Sequence, residues 1–140
     1  MESNVRKYRK IYFSLMEIVI AVTILALAAG IAAPMFMRHF DKARVNAAKA
    51  QLSNLKLAIN DFYLDTNKYP SSLDELLTNN GNPKWQGPYL EAKQIPKDPW
   101  GNDYILEQVD GKCVIITYGK DGSQGGSSYA ADLRSDELAN

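Results

Sequence analysis

Between Phe13 and Met37 the sequence FSLMEIVIAVTILALAAGIAAPMFM carries one charge, Glu17. About 25 residues at a helical rise of ~1.5 Å reach past a hydrocarbon core of ~30 Å, so the segment is long enough to span a bilayer. Before it stand Arg6, Lys7, Arg9 and Lys10 against only Glu2, and after Glu17 no charge returns until Arg38. A basic flank is retained in the cytoplasm, which sends the rest of the chain to the opposite face. The expected layout is a basic cytoplasmic leader (residues 1–12), a spanning helix (13–37) and an extracytoplasmic head (38–140), with the N-terminus inside.

Two ordinary explanations of this segment stay open. One is a secretory signal peptide, with Ala28, Ala29, Gly30, Ala32 and Ala33 as small-residue cleavage positions. The other is a plain single-pass anchor whose Glu17 lies close to the cytoplasmic interface. Glu17 argues against both, because an acid in a span costs a few kcal/mol unless a partner neutralises it, and neither explanation supplies one. A cut just before Phe13 would supply one: the new α-amino group lies four residues upstream, one turn away on its own subunit and able to pair with Glu17 of a neighbour.

Composition removes other classes. Sixteen basic and sixteen acidic residues cancel, and a nucleic-acid partner would call for a basic excess. Cys113 is the one cysteine and His39 the one histidine, so the chain has no intrachain disulfide, no thiol metal cluster, no paired-histidine metal motif and no histidine-based triad with a second base. No G-x-S-x-G, H-E-x-x-H or phosphate-cradling glycine loop is present. The chain reads as a non-enzyme.

Beyond Pro34 the helical pattern continues. Val45, Ala48, Leu52, Leu55, Ile59 and Phe62 recur at spacings of three and four, one apolar stripe, with Asp41, Lys42, Arg44, Lys49, Lys56 and Asp61 as its solvated complement. The stripe lasts under three heptads, so packing on the chain's own head is expected over a coiled coil. One long helix therefore runs from the span into the head, with Pro34 as a local kink or loosened turn. Tyr69 to Leu77 reads as a proline-marked turn, a Ser72 N-cap and a short helix. Trp100 and Tyr104 are expected core anchors. Tyr104–Val109 and Cys113–Tyr118 form a hairpin about Asp110-Gly111. The stretch from Gly119 to Asn140, rich in Gly, Ser and Asp and without periodicity, is expected to be floppy if left alone.

Phe13-Ser14-Leu15-Met16-Glu17, the apolar helix behind it and Pro34 resemble the class III signal of type IV pilins and pseudopilins. The order of Tyr69-Pro70, Gly87-Pro88-Tyr89-Leu90, Asp98-Pro99-Trp100-Gly101 and Tyr118-Gly119-Lys120-Asp121-Gly122 ahead of Asp132 resembles more specifically the type II secretion major pseudopilins, over nearly the whole chain from Phe13. The resemblance implies an α+β, type IV pilin-like fold: a long N-terminal helix, half membrane-spanning and half amphipathic, on a small loop-rich head with a short antiparallel sheet. It also implies cleavage before Phe13 by a prepilin peptidase, methylation of the new terminus, and Glu17 and Pro34 as assembly residues. In that family glycine precedes the phenylalanine, whereas Tyr12 stands here, preceded by Ile11. A pocket shaped around glycine meets a large ring, which leaves an adapted enzyme, an altered site or a retained leader.

The function so implied is a structural subunit that assembles with copies of itself into a helical fibre driving protein export. Its expected partners are minor pseudopilins, an inner-membrane assembly platform, the prepilin peptidase and the lipid bilayer. The expected location is the bacterial inner membrane, with head and fibre in the periplasm. A type IV pilin or competence-type pseudopilin, and an anchored extracytoplasmic binding protein, are the alternatives. A Ca2+ ion is expected in the C-terminal loop, where Asp121 and Asp132 bracket a Gly- and Ser-rich stretch and calcium accepts carboxylates and carbonyls in flexible geometry. The resemblance carries the site onto those two acids, with the Tyr118 and Ser123 carbonyls as further ligands.

Overall fold

The computed structural model describes residues 12–138; Arg6, Lys7, Arg9 and Lys10 of the basic leader lie outside the described residues. The chain divides into two compact units, Met1–Arg38 and His39–Asn140. Helix α1 spans Leu15–Thr66 and passes through Pro34 without interruption. Pro34 removes one donor from the ladder and sets its ring against the carbonyl four residues earlier. That carbonyl belongs to Gly30, which has no side chain to crowd the same turn.

The start and end of α1 follow from local chemistry. Ser14 Oγ accepts the Met16 N–H at 3.3 Å, an N-cap that places Glu17 in the first turn, where the helix dipole favours an acid. At the other end Asn67 turns left-handed at φ 56°, its N–H bonds the Tyr63 carbonyl at 2.8 Å, and Thr66 Oγ1 donates to the Phe62 carbonyl at 2.7 Å. Asn is one of the few residues that tolerate this stop.

The expected stripe on α1 is the core seam. Ala48, Leu52, Leu55, Ile59 and Phe62 are buried, joined by Ala58, whereas Val45 is half-buried. Leu52, Leu55, Ala58, Ile59 and Phe62 pack with Leu73, Leu76, Tyr104 and Ile115, and burying a Leu, Ile or Phe side chain contributes about 1.5–3 kcal/mol. The loops close over this seam through aromatic rings. Tyr89 meets Phe62 edge-on at 5.5 Å, and its hydroxyl donates to Asp65 at 2.8 Å. The Trp85 indole N–H donates to the Glu75 carbonyl at 2.8 Å.

The hairpin forms as expected, β1 at Ile105–Val109 and β2 at Lys112–Thr117, in register Ile105 with Ile116 and Val109 with Lys112. Asp110 and Gly111 both take positive φ, 50° and 74°, as a two-residue primed turn requires. Three expectations are corrected. The segment after Thr66 holds a single 3₁₀ turn, Leu73–Leu76, and Ser72 does not cap it; instead the Ser71 hydroxyl donates to Glu75, one residue earlier. The C-terminal stretch is not without structure: Leu133–Arg134 forms β3 on the edge of β2, giving a sheet in the order β1-β2-β3. Ser135 then locks it, exchanging two bonds of 2.9 Å with the Ile115 backbone while buried. The third correction is Asp41, which is not part of the wet face.

Candidate functional site

The first region of interest is the start of α1. Tyr12 and Phe13 are exposed, and Phe13, Glu17, Ile18, Ala21 and Val22 line one shallow groove. Phe13, two residues before the first residue of α1, and Glu17 in its first turn thus face the same groove. Here α1 is apolar all round: its large side chains run from 51% exposed at Ile18 to 81% at Leu15. Among the described residues α1 is long and apolar enough to cross a membrane by length and composition. Thr23, the hydroxyl in this stretch, donates to the Val19 carbonyl at 2.7 Å, which leaves its O–H paired on an otherwise apolar surface.

The second region is the loop from Gly119 to Asp132. It opens with a 3₁₀ turn at Gly119–Asp121, closed by Gly122 in the left-handed region. Asp121 Oδ1 accepts the Ser123 N–H at 3.2 Å, and both oxygens of Asp132 accept the Gly125 N–H, at 3.0 and 2.9 Å. The two acids therefore hold the backbone of the same short stretch from opposite ends of the loop. Gly119 is held at φ 66°, and a Cβ there would stand 2.8 Å from the Ala131 carbonyl oxygen; no side chain fits.

Two residues that sequence reasoning passed over fix this loop to the head. Asp98 is buried, and its Oδ1 accepts the N–H groups of Trp100 at 3.0 Å and Asn102 at 2.7 Å. Its Oδ2 takes the Thr117 hydroxyl at 2.5 Å. Asn102 then reaches the Gly119 carbonyl with its side-chain amide at 3.1 Å. Burial, and then the Asp98 charge nearby, push the Tyr104 hydroxyl well above its ordinary range. The signal was present in Asp98-Pro99-Trp100-Gly101-Asn102, since an aspartate ahead of a proline turn commonly accepts N–H groups a few residues on.

The third tie is the ion pair of Lys120 with Asp41 of α1, 2.9 Å long, with the Asp41 side chain only 11% exposed. A buried carboxylate needs such a partner, which is why Asp41 departs from the solvated face assigned to it by periodicity. Asp121 and Asp132 have no lysine or arginine in ion-pair contact among the described residues. No group of three or more His, Cys, Asp and Glu side chains gathers among those residues, so any ion in the loop would depend on two carboxylates and backbone carbonyls. That all-oxygen set suits a hard cation such as calcium and not a softer metal.

The family model for type II secretion system protein G matches residues 35–136. The chain belongs to this family. A type II secretion system core protein G from Xanthomonas campestris pv. campestris is 37% identical over 124 residues, covering 86% of each chain. One from Pseudomonas aeruginosa is 36% identical, covering 86% of this chain and 91% of the relative. Among solved structures, the major pseudopilin from the type 2 secretion system of enterohaemorrhagic Escherichia coli aligns with a TM-score of 0.53 at 26% identity, covering 70% of this chain and 90% of that one. The protein G family is one of structural pseudopilin subunits and not of enzymes, and the long helix with a three-stranded antiparallel sheet is its type IV pilin-like α+β fold.

Proposed function

We propose that this chain is the major subunit of a type II secretion pseudopilus, held in the bacterial inner membrane with its N-terminus in the cytoplasm and its head in the periplasm. Copies leave the membrane, stack their N-terminal helices into a helical fibre and drive exported proteins through the outer membrane. The observation that carries this reading is the lone Glu17 carboxylate in one groove with Phe13, at the start of an apolar helix continuous with a protein G head. A free amino group created at Phe13 would neutralise Glu17 of the adjoining copy in a medium of low dielectric, where an unpaired charge is costly. The inner-membrane platform, minor pseudopilins and a prepilin peptidase that accepts Tyr12 are the partners this requires, and methylation of Phe13 follows cleavage. Replacing Glu17 by Ala in the full chain tests it: membrane insertion should persist while sheared fibre yield and secretion fall at least about tenfold, roughly one lost ion pair of ~1.4 kcal/mol or more. Normal fibre yield from that variant would refute the role.

We further propose that the Gly119–Asp132 loop takes one calcium ion through the Asp121 and Asp132 carboxylates, with the Tyr118 and Ser123 carbonyls completing the set. Support comes from the oxygen chemistry of the loop and from its two acids, which meet backbone N–H groups but no protein cation among the described residues. The ion would supply the cross-link between the two ends of the loop.

A further inference from the structure

Charge along the head falls into two blocks. From residue 39 to 56 stand Lys42, Arg44, Lys49 and Lys56 against Asp41, whereas from 57 to 110 nine acids face four lysines. Asp41 is already neutralised by Lys120, and Lys56 donates to the Ser135 carbonyl. That leaves Lys42, Arg44 and Lys49 exposed and without an ion-pair partner among the described residues.

The acidic block carries a second feature with nothing packed on it. Leu57 and Leu64 lie two turns apart on one face of α1, 59% and 73% exposed, although the head has buried its other helix leucines. Beside Leu57 runs a groove of about 360 Å³ whose walls include Tyr89 and Pro96 and whose rim carries Asp61 and Glu91. Both acids are exposed and free of ion pairs among the described residues.

A helical fibre repeats one operation from copy to copy, so its contacts are heterologous: a patch on one subunit meets a different patch on the next. Two unlike patches of opposite charge on one head satisfy that condition, and two copies of the same patch would repel. We propose that the Leu57 groove, with Asp61 and Glu91 on its rim, receives the Lys42–Lys49 stretch of α1 from a neighbouring copy. This inference rests on the fibre reading above. Between its cations that stretch exposes Ala43 and Ala47, with Ala50 exposed just beyond Lys49, small enough for Leu57 to approach the helix backbone. Twelve residues separate Lys49 from Asp61 and seventeen separate Arg44 from it, so at ~1.5 Å per residue the contacting copies are displaced along the helix by about 18–26 Å. The apolar contact supplies affinity, and the rim charges fix the register.

The test uses the full chain with its native leader, expressed with the secretion components. Asp61→Lys with Glu91→Lys, and separately Arg44→Glu with Lys49→Glu, place like charges face to face and should each lower sheared fibre yield about tenfold or more. Combining all four restores opposite signs and should return yield to within about threefold of the parent. Normal yield in either double variant, or no recovery in the combined one, overturns the proposal. Because a charge variant can fail for want of folding, a second measurement leaves the surface nearly intact: Lys49→Cys and Asp61→Cys on separate, co-expressed chains lacking Cys113. Disulfide-linked dimers in pelleted fibres are expected, and their absence overturns the proposal. If the parent chain itself makes no fibres, the fibre reading fails before any variant is compared.

Discussion

Removing the Asp98 carboxylate should cost the head several kcal/mol, more than any exposed acid in the chain. Asp98 is only 4% exposed and accepts from the Trp100 N–H, the Asn102 N–H and the Thr117 hydroxyl. In Asp98→Ala all three donors lose their acceptor, and Thr117 is fully buried, so water cannot replace it there. At about 1–3 kcal/mol for each donor left without a partner, and with some relaxation of the turn, the sum is about 3–5 kcal/mol. Asp98→Asn keeps one oxygen for the two backbone N–H groups and turns its amide toward the Thr117 hydroxyl, which can accept, so about 1–2 kcal/mol is expected. The control is Asp103→Ala. Asp103 pairs with Lys97 at 3.2 Å, but both side chains are more than 60% exposed, and such pairs contribute about 0–1 kcal/mol. Urea unfolding of the full chain in detergent micelles, followed by tryptophan fluorescence, gives the three values. A loss below about 1 kcal/mol for Asp98→Ala, or a loss no larger than for Asp103→Ala, would show that this turn does not depend on its carboxylate.

Lys120→Met should destabilise by about 1–2 kcal/mol, because it strands the Asp41 carboxylate, and adding Asp41→Asn should recover most of the loss; urea midpoints of the single and double variants decide it. Calcium should raise the melting temperature of the micelle-held chain with the logarithm of free ion, and Asp132→Ala should abolish the rise; identical melting in calcium and chelator would remove the ion from the loop. Stability should fall on the alkaline side. Burial raises the thiol of Cys113, and burial with the Asp98 charge raises the hydroxyl of Tyr104. Both therefore hold their protons more tightly folded than unfolded. Their contribution is complete below the free-group values of about 8.5 and 10, and it is lost as pH climbs from there. Urea midpoints at about pH 7 and about pH 10 check this, and Cys113→Ala should remove the earlier part of the decline.

The parts of this molecule visible in its sequence are those whose cause is local. Leu52, Leu55, Ile59 and Phe62 announce their buried face by spacing alone, and Asp110-Gly111 announces a turn because few other pairs accept two positive φ angles. Ser14 and Glu17 also carry a readable signal, the S-x-x-E spacing of a helix start, and Ser14 Oγ accepts the Met16 N–H there. β3 had no such signal. Its two residues are too few for a period, and what fixes them is Ser135 bonding Ile115, twenty positions away. Asp41 misled for the same reason: spacing placed it among solvated charges, and the ammonium that removes it from solvent lies 79 residues further on.

The candidate loop combines both kinds of cause. Asp121 and Asp132 stand out in a stretch poor in other acids, but their placement depends on a relay. Asp98 orders Asn102, Asn102 holds the Gly119 carbonyl, and Thr117 links the same carboxylate to the Gly119 N–H at 3.3 Å. Lys120 then joins the loop to α1. An ion binding between Asp121 and Asp132 would therefore act on a loop already tied at one end to the turn after Pro96 and to the long helix. The expected consequence is that calcium changes the exchange protection of amides beyond the loop, at Trp100 and Asn102, and not only at Ser123 and Gly125. Amide hydrogen exchange with and without calcium reads this directly. Protection confined to Ser123 and Gly125 would show that the relay positions the loop without transmitting its occupancy.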